Sequence, residues 1–410
     1  MSSHAENMGV EGELQNCPIM PTYAAPSIMF IRGEGTELWD SEGKRYLDFV
    51  GGLAVQSLGH ANPEIAEVIG EQAGKLTQVS NYWATEHAHH VAIEIDKAVT
   101  GHINEPSDSP YNPTGQVFFC NSGAEANELA FKIARKATSK GRYTVLTATD
   151  SFHGRTLAAL AACGQPHKHE PFAPMPQGFT HIARGDIEAL NGAVDETTAA
   201  VHLEPILGEG GVWPHTSDYL SKAESLTREH GLLFMVDEVQ SGLCRTGEWF
   251  SFQHYGLNPD VVCMAKALGN GFPIGAVWVK RELAASFEAG DHGSTYGGNP
   301  LGTAVARKVL EIMKRDNYNL KAQLIEEQIR TSMSEVPQVI SIRGNGAMLA
   351  IELHQAISKE VAAEASIKGL LVNPITPTAL RLTPPLTTSP DQIQKGMQIL
   401  KGILNAQASS

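Results

Sequence analysis

Apolar and polar positions along this chain fall into blocks whose period changes, and each block predicts an element. Alternating stretches at 37–40 and 44–49 flank Ser41-Glu42-Gly43 and predict two short strands about a turn. Asn62 followed by Pro63 predicts a helix start, because an Asn side chain accepts from orphan N–H groups and Pro has no N–H to leave unpaired. Ile65, Val68, Ile69 and Leu76 give that helix its apolar stripe. Residues 101–115 carry three prolines and almost nothing apolar, so a surface loop is expected. Beyond it, apolar runs at 117–120, 143–147, 199–203, 232–236 and 261–264 alternate with helical patterns at about 124–138 and from Ser217 to a glycine stop at Gly231. Such alternation predicts an α/β fold, with crossover units building a mostly parallel sheet covered on both faces. After about residue 300 the texture turns to long helices (301–314 and about 320–333) and short strands (347–352 and 379–382), which predicts a smaller α+β domain.

Composition narrows the class. Hydrophobic residues make up 42% of the chain, ample for a core, while 45 acidic against 31 basic residues leave a net charge of −14. With that balance and no basic run, a nucleic-acid partner is not expected. No stretch approaches the about 20 apolar residues of a membrane span. Residues 1–20 read as a loose polar tail without the basic start and apolar run of a secretory signal. The five cysteines (17, 120, 163, 244 and 263) are odd in number, scattered and without a C-x-x-C pair. They are expected to be small core residues in a reducing cytoplasm, neither disulfides nor zinc ligands. His87, His89 and His90 cluster on a helical stretch, but lack the further ligands a metal needs and are taken as a helix face.

In a parallel sheet, ligands meet the carboxyl ends of the strands. Three features fall there. Asn121-Ser122-Gly123-Ala124-Glu125 joins a strand to a helix, and is either an ordinary turn or a phosphate seat made of free N–H groups at a helix start. Asp237 ends the run Leu232-Leu233-Phe234-Met235-Val236, where a buried carboxylate needs a partner: a protonated heterocycle nitrogen, a helix cap or an internal salt bridge. Lys266 follows the strand at 261–264 and precedes the glycine-rich stretch 269–275, either as a snorkelling surface lysine or as an amine for Schiff-base chemistry. Together the three match the handles of pyridoxal 5'-phosphate: phosphate, ring nitrogen and aldehyde.

These motifs, with Phe152-His153-Gly154-Arg155-Thr156, Glu204-Pro205, Gly208-Glu209-Gly210-Gly211-Val212, Asp237-Glu238-Val239-Gln240-Ser241-Gly242, His292 to Pro300 and Arg381-Leu382-Thr383-Pro384-Pro385-Leu386, resemble the class III (ω-) aminotransferases of fold type I, most of all the bacterial acetylornithine enzymes. The resemblance spans about residues 20–405. It implies the pyridoxal-phosphate transferase fold type I: a large coenzyme-binding domain (62–300) and a small domain built from both termini (21–61 and 301–410), after the tail. It further implies that Lys266 bonds the coenzyme and shuttles a proton, and that Asp237 keeps the ring nitrogen protonated. Gln240 is expected near the ring hydroxyl, Val239 beneath the ring, and Phe152 stacked on its other face, with His153 supporting Phe152. Gly123 and Ala124 would donate to the phosphate, joined by Thr295 from a second subunit, so a homodimer with shared sites is expected. Ser294 would lie close to substrate.

The same resemblance assigns Arg155 to the α-carboxylate of acetylornithine or the side-chain carboxylate of glutamate, Arg381 to glutamate's α-carboxylate, and Glu209 to neutralising Arg381 when the other substrate is bound. Leu53 stands where ornithine δ-aminotransferases place a tyrosine, which favours an acylated ornithine. Tyr82 and Trp83 either line the acyl end or pack in the core. The expected reaction moves the δ-amino group of N2-acetyl-L-ornithine to 2-oxoglutarate, giving N-acetyl-L-glutamate 5-semialdehyde and L-glutamate, a step of arginine biosynthesis. Succinylornithine, 4-aminobutyrate and other ω-amino acids are the alternatives. A non-catalytic binding protein on the same fold would be expected to have lost Lys266 or Asp237, and both are present.

Overall fold

A computed structural model describes residues 18–24, 26–105 and 111–407. Most of the expected tail (1–17, with Cys17) and the middle of the expected 101–115 loop lie outside the described residues. The centre is a seven-stranded sheet in the spatial order Gly115–Cys120, Gly275–Lys280, Val261–Met264, Leu233–Asp237, Thr198–Leu203, Thr144–Ala148, Phe179–Ile182. Gly275–Lys280 is antiparallel to both of its neighbours. The remaining pairings are parallel. The sheet is therefore mostly parallel, as the alternation of runs required. Strands Thr198–Leu203 and Leu233–Asp237 are buried at every position, which is why their sequences are mainly apolar, with His202 the polar exception inside the first, and not alternating.

Helix Gly123–Ala137 covers one face through Ala126, Leu129, Ala130, Phe131, Ile133 and Ala134. Truncating one of the large members, such as Ile133, would cost on the order of 2–5 kcal/mol by loss of packing. Helix Ser217–His230 stops where expected, at Gly231, whose left-handed backbone (φ 61°) suits glycine. Asn62 caps Pro63–Lys75 by accepting from the N–H groups of Glu64 and Ile65.

The chain's two ends meet in a second sheet, where Phe30–Glu34, Glu37–Asp40 and Arg45–Asp48 lie beside Leu370–Leu371. A third sheet orders Val339–Asn345, Met348–Leu353, Ala379–Leu382 and Asn373–Thr376, all antiparallel. Long helices Pro300–Arg315, Tyr318–Met333 and Pro390–Gln407 complete the C-terminal third. Among the described residues, no helix is long and apolar enough to cross a membrane. Cys120, Cys163, Cys244 and Cys263 are buried free thiols.

Candidate active site

The carboxyl ends of the central strands open onto one cavity of about 450 Å³. Parallel register places its groups side by side. Asp237 pairs with Cys263 of the neighbouring strand, two positions before the Ala265-Lys266 exit, and Val236 pairs with Leu203, one position before Glu204. Asp237, Lys266 and Glu204 therefore reach the same wall without any long loop to carry them, and all three line the cavity.

The helix start also lines the cavity, through Ser122, Gly123, Ala124 and Asn127. Ser122 caps Gly123–Ala137 by accepting from the Glu125 N–H at 3.2 Å, and Glu125 accepts from the backbone N–H of Asn121 at 2.7 Å. The remaining first-turn N–H groups, those of Gly123 and Ala124, have no intrahelical acceptor by geometry and sit at the positive end of the helix dipole. Gly123 is required by packing: a Cβ there would come 2.7 Å from Cγ1 of Val239.

Asp237 is 4% exposed. Its Oδ1 accepts from the Val239 N–H at 3.0 Å, and its Oδ2 accepts from Asn127 Nδ2 at 2.8 Å and from His153 Nδ1 at 2.9 Å. Burial pushes the carboxyl up, but the hydrogen bond and charge of His153 outweigh it and hold Asp237 below the usual carboxylate range. Here a sequence expectation changes: His153 supports Asp237 directly, because its ring nitrogen turns toward the carboxylate and not toward Phe152. Glu204 behaves oppositely. Burial raises it to about 7 even though it accepts from the N–H groups of Phe152 and Gly208.

Lys266 opens the short 3-10 turn Lys266–Leu268 with a left-handed backbone (φ 44°). That conformation is uncommon for a residue with a side chain and turns the chain sharply out of the strand. Burial, reinforced by the nearby Arg381 guanidinium, lowers the ammonium to about 8, so a substantial neutral amine fraction exists near neutrality.

Arg381 is 1% exposed, on strand Ala379–Leu382. Its Nη1 donates to Glu209 Oε1 at 2.9 Å and to Gln240 Oε1 at 3.3 Å. Glu209, pushed up by burial but held down more strongly by Arg381, stays below the usual range and is ionised. The Gln240 amide lies against Gly208, so closely that a Cβ there would come 2.0 Å from its Oε1. Arg155 lines the cavity, with its guanidinium carbon 5.5 Å from the centre of the Phe152 ring.

Of the expected site residues, Lys266, Asp237, Gly123, Ala124, Phe152, Val239, Gln240, Arg155 and Glu209 line this one cavity, and Arg381 adjoins it through Glu209 and Gln240. Ser294 and Thr295 do not. They line a second cavity with Asn81, Tyr82 and Phe118, although the Ser294 Oγ accepts from Asn121 Nδ2 at 3.2 Å. Tyr82 is 89% and Trp83 67% exposed, so neither packs in the core of this chain and neither lines the main cavity. Among the described residues, His87 bonds to Gln72 and Arg307, as a half-buried helix face would. Asn127 and His202 escaped the sequence argument. The available signals were an Asn one helical turn after Gly123 and a lone polar residue inside the apolar strand 199–203.

The chain belongs to the class III aminotransferases, whose family profile, described as "Aminotransferase class-III", matches residues 20–404. It is 42% identical over 396 residues to an acetylornithine aminotransferase of Caldanaerobacter subterraneus subsp. tengcongensis, covering 94% of this chain and 97% of that one. An acetylornithine aminotransferase of Corynebacterium efficiens is likewise 42% identical, over 96% of this chain and 97% of the relative. Among solved structures, the ornithine aminotransferase of Toxoplasma gondii, seen with partial occupancy of PLP at its active site, superposes with a TM-score of 0.86 at 30% identity, covering 95% and 92% of the two chains. The N-acetylornithine aminotransferase of Stenotrophomonas maltophilia gives 0.78 at 32% identity, over 93% and 96%.

Proposed function

We propose that this protein is a pyridoxal-phosphate-dependent transaminase that moves the δ-amino group of N2-acetyl-L-ornithine to 2-oxoglutarate, giving N-acetyl-L-glutamate 5-semialdehyde and L-glutamate, a step of arginine biosynthesis. The observation that carries it is the convergence of Lys266 and the ionised Asp237 on one cavity whose flank holds an internal Arg381–Glu209 pair. The residues present suit the coenzyme. Gly123 and Ala124 offer phosphate donors, a buried anion at Asp237 wants a cationic ring nitrogen, and Lys266 brings an amine for the aldehyde. Phe152 and Val239 supply apolar walls for the ring. When bound, pyridoxal phosphate supplies an electron-withdrawing ring conjugated to the reacting substrate carbon. Asp237 would hold the proton on the ring nitrogen; Lys266 Nζ, uncharged once its proton is lost, would take the proton from the amine-bearing substrate carbon and return it two atoms away, on the far side of the transferred nitrogen.

Two unlike substrates must use one site in turn. Arg155 binds the distal carboxylate of either. Arg381 binds the α-carboxylate of glutamate as a two-pronged pair. Acetylornithine brings only methylene to that place, and a buried guanidinium facing methylene needs an internal counter-ion, which Glu209 supplies. Leu53, in the tight turn Gly51–Ala54 just before the cavity-lining Val55, is 40% exposed and does not itself line this chain's cavity; it has no hydroxyl for a free α-ammonium. The curated relatives named above carry the acetylornithine assignment for themselves, and their near-full-length similarity supports it here.

Thr295 and Ser294 lie outside their own chain's cavity, beside the exposed Tyr82. That suits donation to a partner's site, so the proposal includes a homodimer with shared sites. The buried free thiols suit a reducing cytoplasm. The test is a donor panel with 2-oxoglutarate: acetylornithine, succinylornithine, ornithine, 4-aminobutyrate and lysine. Acetylornithine should give the highest kcat/KM; free ornithine outrunning both acylated forms would overturn the substrate assignment and the weight placed on Leu53.

A further inference from the structure

We propose that His202 is a positioning residue that pins the Asn127 amide so that its NH2 group stays directed at Asp237. The inference rests on the coenzyme reading above, in which Asp237 meets a protonated ring nitrogen. Asn127 is 1% exposed and its four hydrogen-bonding positions are nearly all committed. Its Nδ2 donates to Asp237 Oδ2 at 2.8 Å and to the His153 carbonyl at 2.7 Å. Both are acceptors, so the amide nitrogen must face them. Its Oδ1 points the other way and meets Nε2 of His202 at 2.9 Å.

An amide oxygen can only accept, so His202 carries its proton on Nε2. Nδ1 is then unprotonated; it makes no well-formed hydrogen bond, although the Met235 backbone of the neighbouring strand lies beside the ring. The ring is fully buried and burial lowers it to about 3, so it is neutral at any working pH and acts as a fixed donor dipole, not as a charge. Its place is set by packing, with ring centres 4.7 Å from His153 and 5.6 Å from Phe131. Strand Thr198–Leu203 is otherwise apolar but for Thr198 at its start, so this donor has no other evident use. Without it, Asn127 Oδ1 would be a buried unsatisfied acceptor, and that penalty would offset part of what the two Nδ2 hydrogen bonds to Asp237 and the His153 carbonyl contribute.

The titratable groups around Asp237 are His153, His202, Glu204, Glu238, Lys266 and Cys263. His202, His153 and Asp237 also form a compact set of possible metal ligands. Asp237 Oδ2 is already shared by two donors and His153 Nδ1 is engaged with it, so the set is a hydrogen-bond chain and not an open cage.

The experiment measures the equilibrium dissociation constant of pyridoxal phosphate from coenzyme-stripped protein, with the melting temperature of each stripped variant as a check on folding. His202→Leu removes the donor and should weaken binding about tenfold, the effect of one buried hydrogen bond. His202→Gln, which can still donate to Oδ1, should stay within about threefold of the parent. Asn127→Ala should weaken binding, and adding His202→Leu to it should cost nothing more, because His202 acts through Asn127. If His202→Leu fails to fold, His202→Phe replaces it with the same expectation. Parent-like binding by the Leu variant, a Gln variant as weak as Leu, or additive losses in the double variant would each overturn the inference. A parent that takes up no coenzyme would instead overturn the reading on which it rests.

Discussion

Replacing Glu209 by Ala separates the two halves of the proposed reaction. In the parent, Arg381 is 1% exposed and its Nη1 lies 2.9 Å from the Glu209 carboxylate, so removing Glu209 leaves a buried cation with only Gln240 beside it. Stripping one partner from a fully buried pair costs about 3–5 kcal/mol. Glu209 itself retains 28% exposure, so water reaching the vacated space recovers part of that and about 2 kcal/mol is the reasonable figure. That cost falls on a substrate that presents methylene to Arg381. It does not fall on glutamate, whose own carboxylate replaces the one removed and no longer has to displace it. At about 1.4 kcal/mol per tenfold, kcat/KM for acetylornithine should drop about 30-fold relative to kcat/KM for glutamate. The assay is single-turnover kinetics of each half-reaction, run separately. Equal losses on both substrates, or no loss on acetylornithine, would refute the counter-ion argument.

Other consequences follow from single groups. Because burial lowers the Lys266 ammonium to about 8, capture of pyridoxal phosphate by the stripped protein should accelerate about tenfold per pH unit up to that point and then level off, followed by stopped-flow absorbance; a rate independent of pH between 6 and 9 would count against it. Burial holds Glu238 at about 7 against an ordinary 4.5. The folded state therefore binds that proton more tightly, and the associated stability, complete below about 4.5, is lost as pH rises through about 7. Glu238→Gln, which keeps an acceptor for the Phe252 N–H, should melt higher than the parent at pH 8 and no higher at pH 4.5 by calorimetry. Gly123→Ala should weaken coenzyme binding about tenfold, because its methyl meets Val239 at 2.7 Å and something in the cavity wall must move. Mixed dimers of Lys266→Ala and Thr295→Val subunits should regain about half the activity per dimer that neither parent variant shows, since one site in each hybrid holds both native residues; no recovery on mixing would refute the shared site.

The sequence carried the strands of the parallel sheet because burial on both faces writes them as unbroken apolar runs. It carried Asp237 and Lys266 because each is a charge placed immediately after such a run. Gly275–Lys280 was less visible. It is antiparallel, follows a glycine-rich segment, and its sequence does not announce its direction. Phe179–Ile182 and Val339–Asn345 are only partly buried, so their patterns carry little contrast. The support of Asp237 was illegible for a different reason. Asn127, His153 and His202 come from a helix, a loop and a strand; the first two bond the carboxylate and the third reaches it through Asn127, contacts that no local spacing connects. The pairing of Arg381 with Glu209 spans 172 positions. It came into view through the motifs around each residue, since no local spacing could connect them.

The central claim is that Lys266 holds pyridoxal phosphate covalently, opposite an anion at Asp237. Borohydride reduction of the purified, coenzyme-loaded protein, followed by peptide mass mapping, tests it most directly. The coenzyme's mass should appear on Lys266 alone and vanish in Lys266→Ala, together with transamination. A label on a different lysine, or a Lys266→Ala protein that is labelled and turns over like the parent, would contradict it.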